Sequence, residues 1–284
     1  MGRRLAGLFY SRPKLQLGAL LSAPMAWLVI LYLGSLAILL ITAFWTVDPL
    51  SGNVIKEFSL DNFEELVNVP VYRDIVWRTV RTAILVTITD AVIAFPIAFF
   101  MAKVASRRTK AILVVAVLMP LWSSYLVKVL AWREMITEHG IINWALEPLG
   151  LHGPGEGVVA VWLVFTYLWL PFMILPIFAG LEQIPNSLIS ASEDLGASPF
   201  TTFRRVILPL AFPAVVAGSI FTFSLTLGDY IAPALVSNDQ FIGTSIRASI
   251  TNNQPFAAAF ALVPIVVVIG YLGVARKLGA FEHV

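Results

Sequence analysis

The sequence predicts an all-α membrane protein with six spanning helices, and two observations carry that prediction. Of the 284 residues, 58% are apolar and 13% are charged, whereas about 25% of the residues in a soluble domain are charged. The apolar residues also fall into runs that can cross a bilayer, which takes about 20 residues per helix. We therefore expect one transmembrane domain over residues 1–284.

Six apolar segments follow one another along the chain. The first is too long for the core of a signal peptide and has no small-residue cleavage site, so we expect a retained helix. Residues 47–75 are acidic, and SLDNFEELV within them predicts a short surface helix capped by Ser59 or Asp61. The predicted spans are residues 20–46, 77–102, 111–133, 158–181, 210–236 and 256–275.

The basic residues indicate the orientation of the chain. Six spans put both termini on one side, and Lys and Arg concentrate in the cytoplasmic loops of membrane proteins. Four segments together hold 12 of the 19 basic residues and four of the 17 acids: the N-terminal tail (1–18), the loop at 103–110, the loop with Arg204 and Arg205, and the C-terminal tail (276–284). We therefore expect these four segments to be cytoplasmic.

A polar stretch, Pro185 to Pro209, interrupts the apolar pattern between the fourth and fifth predicted spans. We call it the 185–209 loop. It predicts two short helices hinged at Gly196, because glycine favours the left-handed position that ends a helix. Pro185 suits the first turn of the first helix, and Ser198-Pro199 is typical of the start of the second. An ordinary connecting loop is the alternative.

The first helix of this loop has an apolar stripe. Leu188, Ala191 and Leu195 repeat at i, i+3 and i+7, which places them on one face. The chain has no G-x-x-x-x-G-K-[ST] phosphate-binding loop. We therefore expect the chain not to bind ATP in that way itself.

The segment ISASEDLGASPFTTFRRVILP resembles the EAA loop of bacterial ABC importer permeases, whose pattern is E-A-A-x-x-x-G and, after a spacer, I-x-L-P. Ala191 matches the first alanine and Gly196 the glycine, and residues 207–209 echo the closing motif. Ser190 stands where the family usually has glutamate, and Ser192 where it has the second alanine. The resemblance implies a coupling helix that docks into a cleft on a separate ATP-binding subunit.

On this resemblance, the apolar stripe would be buried against the ATPase, and the small residues Ala191 and Ser192 would allow close approach. Arg204 and Arg205 would either anchor the loop at the cytoplasmic surface or contact acidic groups of that partner. The resemblance implies no catalytic residue and no cofactor in this chain, since the partner binds ATP.

Two further segments, MPLWSSYLVKVLAWREMITEHGIIN (119–143) and TLGDYIAPALV (226–236), resemble the polyamine-type permeases. Relatives of that type are assigned to spermidine, putrescine, opines or other small cations and organic acids. The resemblance implies import of a small organic cation by alternating access across the bacterial inner membrane. It also implies partners: two ATP-binding subunits, a second permease of a different sequence, and an extracytoplasmic substrate-binding protein.

Two acids lie within the predicted spans. At a helical rise of about 1.5 Å per residue, Asp90 falls near the middle of the second span and Asp229 near the outer end of the fifth. Ionisable residues inside a span usually face a cavity or a partner, so either acid could supply the countercharge for a cationic substrate. The structural alternative is an ion pair of Asp90 with Lys128 or Arg81.

Three aromatic residues, Trp122, Tyr125 and Trp132, follow one another at spacings of three and seven and would share one face of the third helix. Aromatic faces attract ammonium groups, which suits a substrate pathway for a cation. Ordinary packing or a place in the interfacial belt is the alternative.

Two other classes of function have requirements that differ from those of an importer. An ion-coupled carrier or channel would also have six helices and buried acids, but it would not need an apolar helix on its cytoplasmic side. A membrane enzyme would need its catalytic groups at one depth. The chain has no Cys and three scattered His residues, so we expect no metal site. We also expect no nucleic-acid partner.

Overall fold

The computed structural model describes residues 13–48 and 51–277. The predicted cytoplasmic tails fall largely outside this part, since residues 1–12 and 278–284 are not among those described. Five of the described helices are long and apolar enough to cross a membrane, or six when one sharply bent pair counts as a span. The predicted six-span, helical architecture is confirmed with one span in this broken form.

The first span is a helix with a π-helical turn in its middle. Its parts are α1 (Pro13–Trp27), the π turn (Leu28–Leu33) and α2 (Gly34–Thr42). We predicted that the helix reaches residue 46, but it ends at Thr42. The carbonyls of Ala43 and Trp45 instead accept hydrogen bonds from the Asn62 side chain, at 2.9 and 2.8 Å.

A small hairpin and a surface helix connect the first two spans. Strand β1 (Thr46–Val47) pairs antiparallel with β2 (Val54–Ile55), a feature that the all-α prediction lacked. Helix α3 (Asp61–Asn68) is the predicted surface helix. The predicted cap, Ser59 or Asp61, is wrong, because Leu60 is at the N-cap and makes no side-chain cap hydrogen bond. The Ser59 hydroxyl, one residue earlier, accepts a hydrogen bond from the backbone N–H of Asp61 at 2.9 Å.

The second span is longer than predicted. Helix α4 (Pro70–Phe99) continues through a second π turn (Phe100–Val104), which gives 35 helical residues. The helix begins at Pro70 rather than at residue 77. Val69 is extended, as the residue before a proline prefers, and Pro70 takes the first helical position, where a missing N–H costs nothing.

Three helices form the centre of the molecule. They are α4, α8 (Val158–Gln183) and α11 (Leu208–Gly228). Val86 packs with Phe165 in one apolar cluster, and Ala98 packs with Ile177 in a second. Helices α4 and α8 therefore run in the same direction, with the two clusters stacked along them. Helix α8 ends within two residues of its predicted end.

The third span, predicted as a helix over residues 111–133, is broken in the structure. The structure has two helices there, α5 (Arg107–Trp122) and α6 (Tyr125–Ile136), which meet at an angle of 91°. Ser123 between them is extended, and Ser124 has a non-helical backbone with φ −57° and ψ 131°. The Pro120 carbonyl, at the end of α5, accepts hydrogen bonds from the Ser123 hydroxyl (2.8 Å) and the Lys128 ammonium (3.1 Å).

The predicted fifth span, 210–236, is wrong at both ends. The helix starts at Pro199 within the 185–209 loop and ends at Gly228. Asp229 is extended, and its Oδ1 accepts a hydrogen bond from the Ala232 N–H at 3.0 Å. This contact lies at the start of a separate short helix, α12 (Ile231–Val236). The two short helices of the 185–209 loop, α9 (Asn186–Asp194) and α10 (Pro199–Thr202), precede α11 in the chain.

The remaining helices cover the outer side of this core. Helix α7 (Ile141–Leu146) follows α6, and α13 (Ile242–Ser249) follows α12. The last span, α14 (Gln254–Lys277), extends two residues beyond the predicted 256–275 at each end. It packs on α13 and on the first span, where Phe256 and Phe260 join the cluster that contains Ala43.

Candidate functional site

The 185–209 loop has the predicted helix–glycine–helix form. Helix α9 (Asn186–Asp194) is followed by Gly196 at φ +80°, and then by the short helix α10 (Pro199–Thr202). The Ser198 hydroxyl accepts a hydrogen bond from the Thr201 N–H at 3.3 Å, as expected of an N-cap. Pro185 precedes the first helical residue rather than lying in the first turn.

The second helix of the loop does not stop at the fifth span. Helix α10 continues through a third π turn (Phe203–Ile207) directly into α11, so Pro199–Gly228 is one run of 30 helical residues. Any displacement of α10 is therefore transmitted through unbroken backbone to the far end of the fifth span.

The apolar stripe of α9 lies on the surface of this chain. Leu188 is 45% exposed and Leu195 is 89% exposed, and Ala191 between them is exposed as well. Phe200, at the start of α10, adds a further large apolar side chain with 71% exposure. No periodic pattern pointed to Phe200, because it belongs to the other helix.

The opposite side of α9 packs inward. Ile189 and Phe203 join the apolar cluster at the ends of α4 and α8, and the Phe203 ring meets the Phe95 ring edge to face at 5.5 Å. The hydroxyls of Ser192 and Thr202 lie 3.0 Å apart and tie α9 to α10. Ser192 is therefore half-buried within the loop itself, whereas Ser190 is exposed.

Arg204 and Arg205 lie on the third π turn, and both side chains are exposed. Within the described part of the chain, neither makes a salt bridge. Both side chains are thus accessible to lipid headgroups or to an acidic partner.

Asp90 is fully buried in the middle of the helical core. Its exposure is 0%, and within the described residues neither carboxylate oxygen has a hydrogen-bond partner. The two ion pairs considered from the sequence are wrong, since the Lys128 ammonium donates to Pro120 instead and Arg81 is exposed. Along α4, Asp90 lies between the two apolar clusters, four residues from Val86 in one and from Ala94 in the other.

Asp229 is partnered, in contrast to Asp90. The Tyr125 hydroxyl donates a short hydrogen bond to Oδ2 of Asp229, while Oδ1 accepts from Ala232. The first residue of α6 is thereby joined to the break after α11. Gly243 packs against the same break, where a Cβ would lie 2.5 Å from the Asp229 carbonyl oxygen.

The three aromatic residues predicted to share a helix face do not do so. Trp122 ends α5 and is 81% exposed, whereas Tyr125 and Trp132 belong to α6 beyond the 91° bend. Tyr125 stacks on Trp169 with ring centroids 6.1 Å apart, and Trp132 packs on Tyr167 at 5.5 Å. The break, which the sequence pattern did not predict, separates Trp122 from the other two.

Comparison with known proteins decides the family. Residues 75–278 match the model of the "Binding-protein-dependent transport system inner membrane component". The chain belongs to this family. It is a multi-pass inner-membrane permease of the ABC importer class, as the resemblance of the 185–209 loop implied.

Two relatives of this permease have names of different detail: one names a substrate and the other does not. It is 44% identical to the "Inner membrane ABC transporter permease protein YdcU" of Escherichia coli K12, over 98% of this chain and 95% of the relative. It is 29% identical to the "Spermidine/putrescine transport system permease protein PotB" of Haemophilus influenzae, over 84% of this chain and 85% of that protein.

Solved structures establish the fold of the permease. A chain of a bacterial ABC transporter that imports the acidic polysaccharide alginate superposes with a TM-score of 0.70 at 16% identity, covering 96% of this chain and 99% of that one. A chain of a bacterial alginate ABC transporter in complex with an alginate pentasaccharide-bound periplasmic protein superposes with a TM-score of 0.70 at 15% identity, covering 94% of this chain and 96% of that one. The fold is therefore that of the type I ABC importer permeases.

Proposed function

We propose that this permease is the non-catalytic membrane subunit of an ATP-driven importer for a small organic cation such as spermidine or putrescine. The observation that carries the proposal is the exposed apolar surface of the 185–209 loop. Leu188 and Ala191 lie on α9, Leu195 directly follows it, and Phe200 lies on α10, which is continuous with a membrane span. Large apolar patches on a surface mark sites of association.

The partner that fits this surface is an ATP-binding subunit. The permease has no phosphate-binding loop of the Walker type in its sequence, so the energy for transport has to come from another chain. The importer would contain two ATP-binding subunits, a second permease of a different sequence and an extracytoplasmic binding protein that delivers the substrate. The alginate transporter, whose structure includes a periplasmic protein, supports an assembly of this kind.

Transport would proceed by alternating access. When ATP closes the two ATPase subunits, the docked 185–209 loop moves with them and carries the fifth span along. Packed helices shift between discrete arrangements rather than deforming continuously, so the movement would switch the opening of the pathway. The loop, both termini and residues 103–110 would be cytoplasmic, which the distribution of Lys and Arg supports.

The identity of the cation rests on the polyamine-type relatives and on two acids. PotB is named for spermidine and putrescine, whereas the name of the 44% identical relative specifies no substrate. Asp90 would meet an ammonium group only in a state in which the core helices separate around it. Asp229, with Tyr125 and Trp132 nearby on α6, would form the outer part of the pathway.

A permease for another small solute, such as an opine, an amino-acid-like compound or an organic acid, is the second candidate, since the polyamine-type permeases include such transporters. The earlier alternative of an ion-coupled carrier or channel is no longer needed, because the family is that of binding-protein-dependent systems. Uptake that continues in vesicles without ATP would nevertheless support an ion-coupled carrier or channel.

The direct test of the proposed function is reconstitution. The permease is co-expressed with candidate ATPase, second permease and binding protein, purified, and placed in proteoliposomes. We expect the ATPase to co-purify, and ATP-dependent uptake of labelled spermidine or putrescine to require the binding protein. Failure of every candidate ATPase to co-purify would overturn the importer proposal, whereas uptake of an organic acid instead would change only the substrate.

A further inference from the structure

The joint between the fourth span and α9 is very short. Helix α8 ends at Gln183 and α9 begins at Asn186, so only Ile184 and Pro185 lie between them. Both are extended, and proline offers no N–H with which to continue a helix. The chain therefore turns here within two residues, and side-chain contacts have to hold α9 at its angle.

Lys103 supplies such contacts from a different span. Its ammonium group donates to the Ile184 carbonyl at 2.5 Å and to Oδ1 of Asn186 at 3.2 Å. The first acceptor lies just past the end of α8, where a positive charge is favourable. The second belongs to the first residue of α9. One half-buried side chain thus connects the second span to both sides of the joint.

A second lysine nearby offers an instructive contrast. Lys110, on α5, forms a 2.6 Å salt bridge with Glu182 and lies 5.8 Å from the centre of the Phe178 ring. Both of these partners belong to α8. Lys110 therefore joins the third span to the fourth without reaching α9. Lys110 has the same charge and the same side chain as Lys103, and it contacts the same cytoplasmic end of α8. It is therefore the matched control for Lys103.

We propose that Lys103 is a positioning residue that transmits the movement of α9 to the second span. The inference rests on the proposed function, in which the 185–209 loop docks on an ATPase. Backbone continuity connects this loop to the fourth span on one side and to the fifth on the other. The second span is the remaining helix of the core and has no such backbone connection. The Lys103 ammonium connects it to the loop through hydrogen bonds instead.

The location of Lys103 suits this role. It lies on the π turn Phe100–Val104, which ends the second span. Single π-helical turns are frequent at functional sites. Hydrogen bonds that involve a charged group are roughly twice as strong as neutral ones, so the contact can carry a displacement. Without it, the second span would meet the loop only through apolar packing, in which Ile189 and Phe203 join the cluster at the ends of α4 and α8.

The test compares three variants in the complete importer, reconstituted in proteoliposomes with its ATPases, second permease and loaded binding protein. Lys103→Met keeps the length of the side chain and removes its hydrogen bonds, Lys103→Arg keeps the charge and the donors, and Lys110→Met is the control. The readout is the amount of substrate imported per ATP hydrolysed, together with the amount of intact complex recovered.

We expect Lys103→Met to lower the import per ATP by at least about tenfold, because it removes both hydrogen bonds of the ammonium group and the loss of one hydrogen bond to a charged group already has about that effect. ATP hydrolysis and the recovery of complex should stay close to those of the unmodified importer. Lys103→Arg should restore most of the import per ATP, and Lys110→Met should leave it unchanged. Asn186→Ala, which removes one of the two acceptors, should shift the ratio in the same direction by a smaller factor.

Two results would overturn the inference. If Lys103→Met reduces only the recovered complex and keeps the import per ATP, Lys103 is a structural residue. If Lys110→Met lowers the ratio as much as Lys103→Met does, the contact with α9 is not what matters. The Asn186→Ala variant decides the question when Lys103→Met fails to assemble. An unmodified complex without coupled ATP hydrolysis would instead remove the proposed function, and this inference with it.

Discussion

The hydroxyl of Tyr125 donates a hydrogen bond to the carboxylate of Asp229. Tyr125 is the first residue of α6 beyond the bend of the third span, and Asp229 is the first residue after the fifth span. Two interrupted spans are therefore joined at their interruptions by one side-chain contact. A change of backbone conformation at either break would therefore require the loss of this hydrogen bond.

We expect Tyr125→Phe to destabilise the permease, because the substitution leaves a half-buried carboxylate oxygen without its donor. The cost of an unsatisfied buried acceptor is about 1–3 kcal/mol. Thermal unfolding of the purified protein in detergent should show a lower midpoint. Tyr167→Phe is the control, since within the described residues its hydroxyl makes no hydrogen bond, although its ring packs on Trp132. Equal midpoints for the two variants would contradict the role of the Tyr125 hydroxyl.

The two acids should respond in opposite ways to an apolar replacement. Asp90→Val removes a buried carboxylate that has no partner in the described chain, and burying an unpaired polar group is costly, so unfolding should need about 1 kcal/mol more. Asp229→Val takes away the acceptor of Tyr125 and Ala232 and should lower stability. Thermal midpoints measure both. A lower midpoint for Asp90→Val would indicate that the carboxyl has a stabilising partner.

The substrate role of these acids has a separate test. Asp90→Asn and Asp229→Asn remove the charge and keep the shape of each side chain. If the acids line a pathway for cations, ATP hydrolysis stimulated by spermidine-loaded binding protein should fall, by about tenfold for the loss of one close charge contact. The basal hydrolysis rate without binding protein is the control. An unchanged stimulated rate in both variants would remove the acids from the pathway.

The docking role of the apolar stripe predicts a strong effect of charge on the exposed leucines. Leu188→Asp and Leu195→Asp would place a carboxylate in an apolar contact, which is unfavourable without a partner. We expect the ATPase to be lost from the complex during purification, while the permease itself keeps its thermal midpoint. Leu149→Asp is the matched control, because Leu149 is 71% exposed but lies far from the loop in sequence, beside α7. Retention of the ATPase by both loop variants would show that it binds elsewhere.

Gly196 should resist substitution for a conformational reason. Its φ of +80° lies in the region that residues with a side chain rarely adopt, and alanine there should cost about 1 kcal/mol. Gly270→Ala, within α14 and with open space around its Cα, should be neutral or stabilising. We expect Gly196→Ala to weaken ATPase binding by changing the angle between α9 and α10. Binding as tight as in the Gly270→Ala variant would show that the loop tolerates another turn.

The sequence predicted those parts of the structure that depend on local patterns. The long apolar runs predict the spans, and Gly196 and Ser198 predict the form of the loop, because turn and capping preferences act over a few residues. The breaks at Ser123 and Asp229 were not predictable in this way. Each is stabilised by a residue that comes from another helix or another turn, such as Lys128 on the Pro120 carbonyl.

Site residues follow the same division. The stripe of α9 is periodic and was found from its spacing, whereas Phe200 and Lys103 matter through neighbours that are distant in the sequence. The contacts of Lys103 span 81 and 83 residues. A lysine at the cytoplasmic end of a span is expected from topology alone, so its sequence context gave no reason to single it out.

The unbroken helix from Pro199 to Gly228 has a mechanical consequence. At about 1.5 Å per residue its 30 residues form a rod about 45 Å long. If the helix tilts by about 10° as a rigid body about its Pro199 end, the Gly228 end swings through about 8 Å. That end is where Asp229 meets Tyr125. A small rotation of the end docked on the ATPase would thus produce a larger displacement at the other end, where the contact between Asp229 and Tyr125 holds the two interrupted spans together.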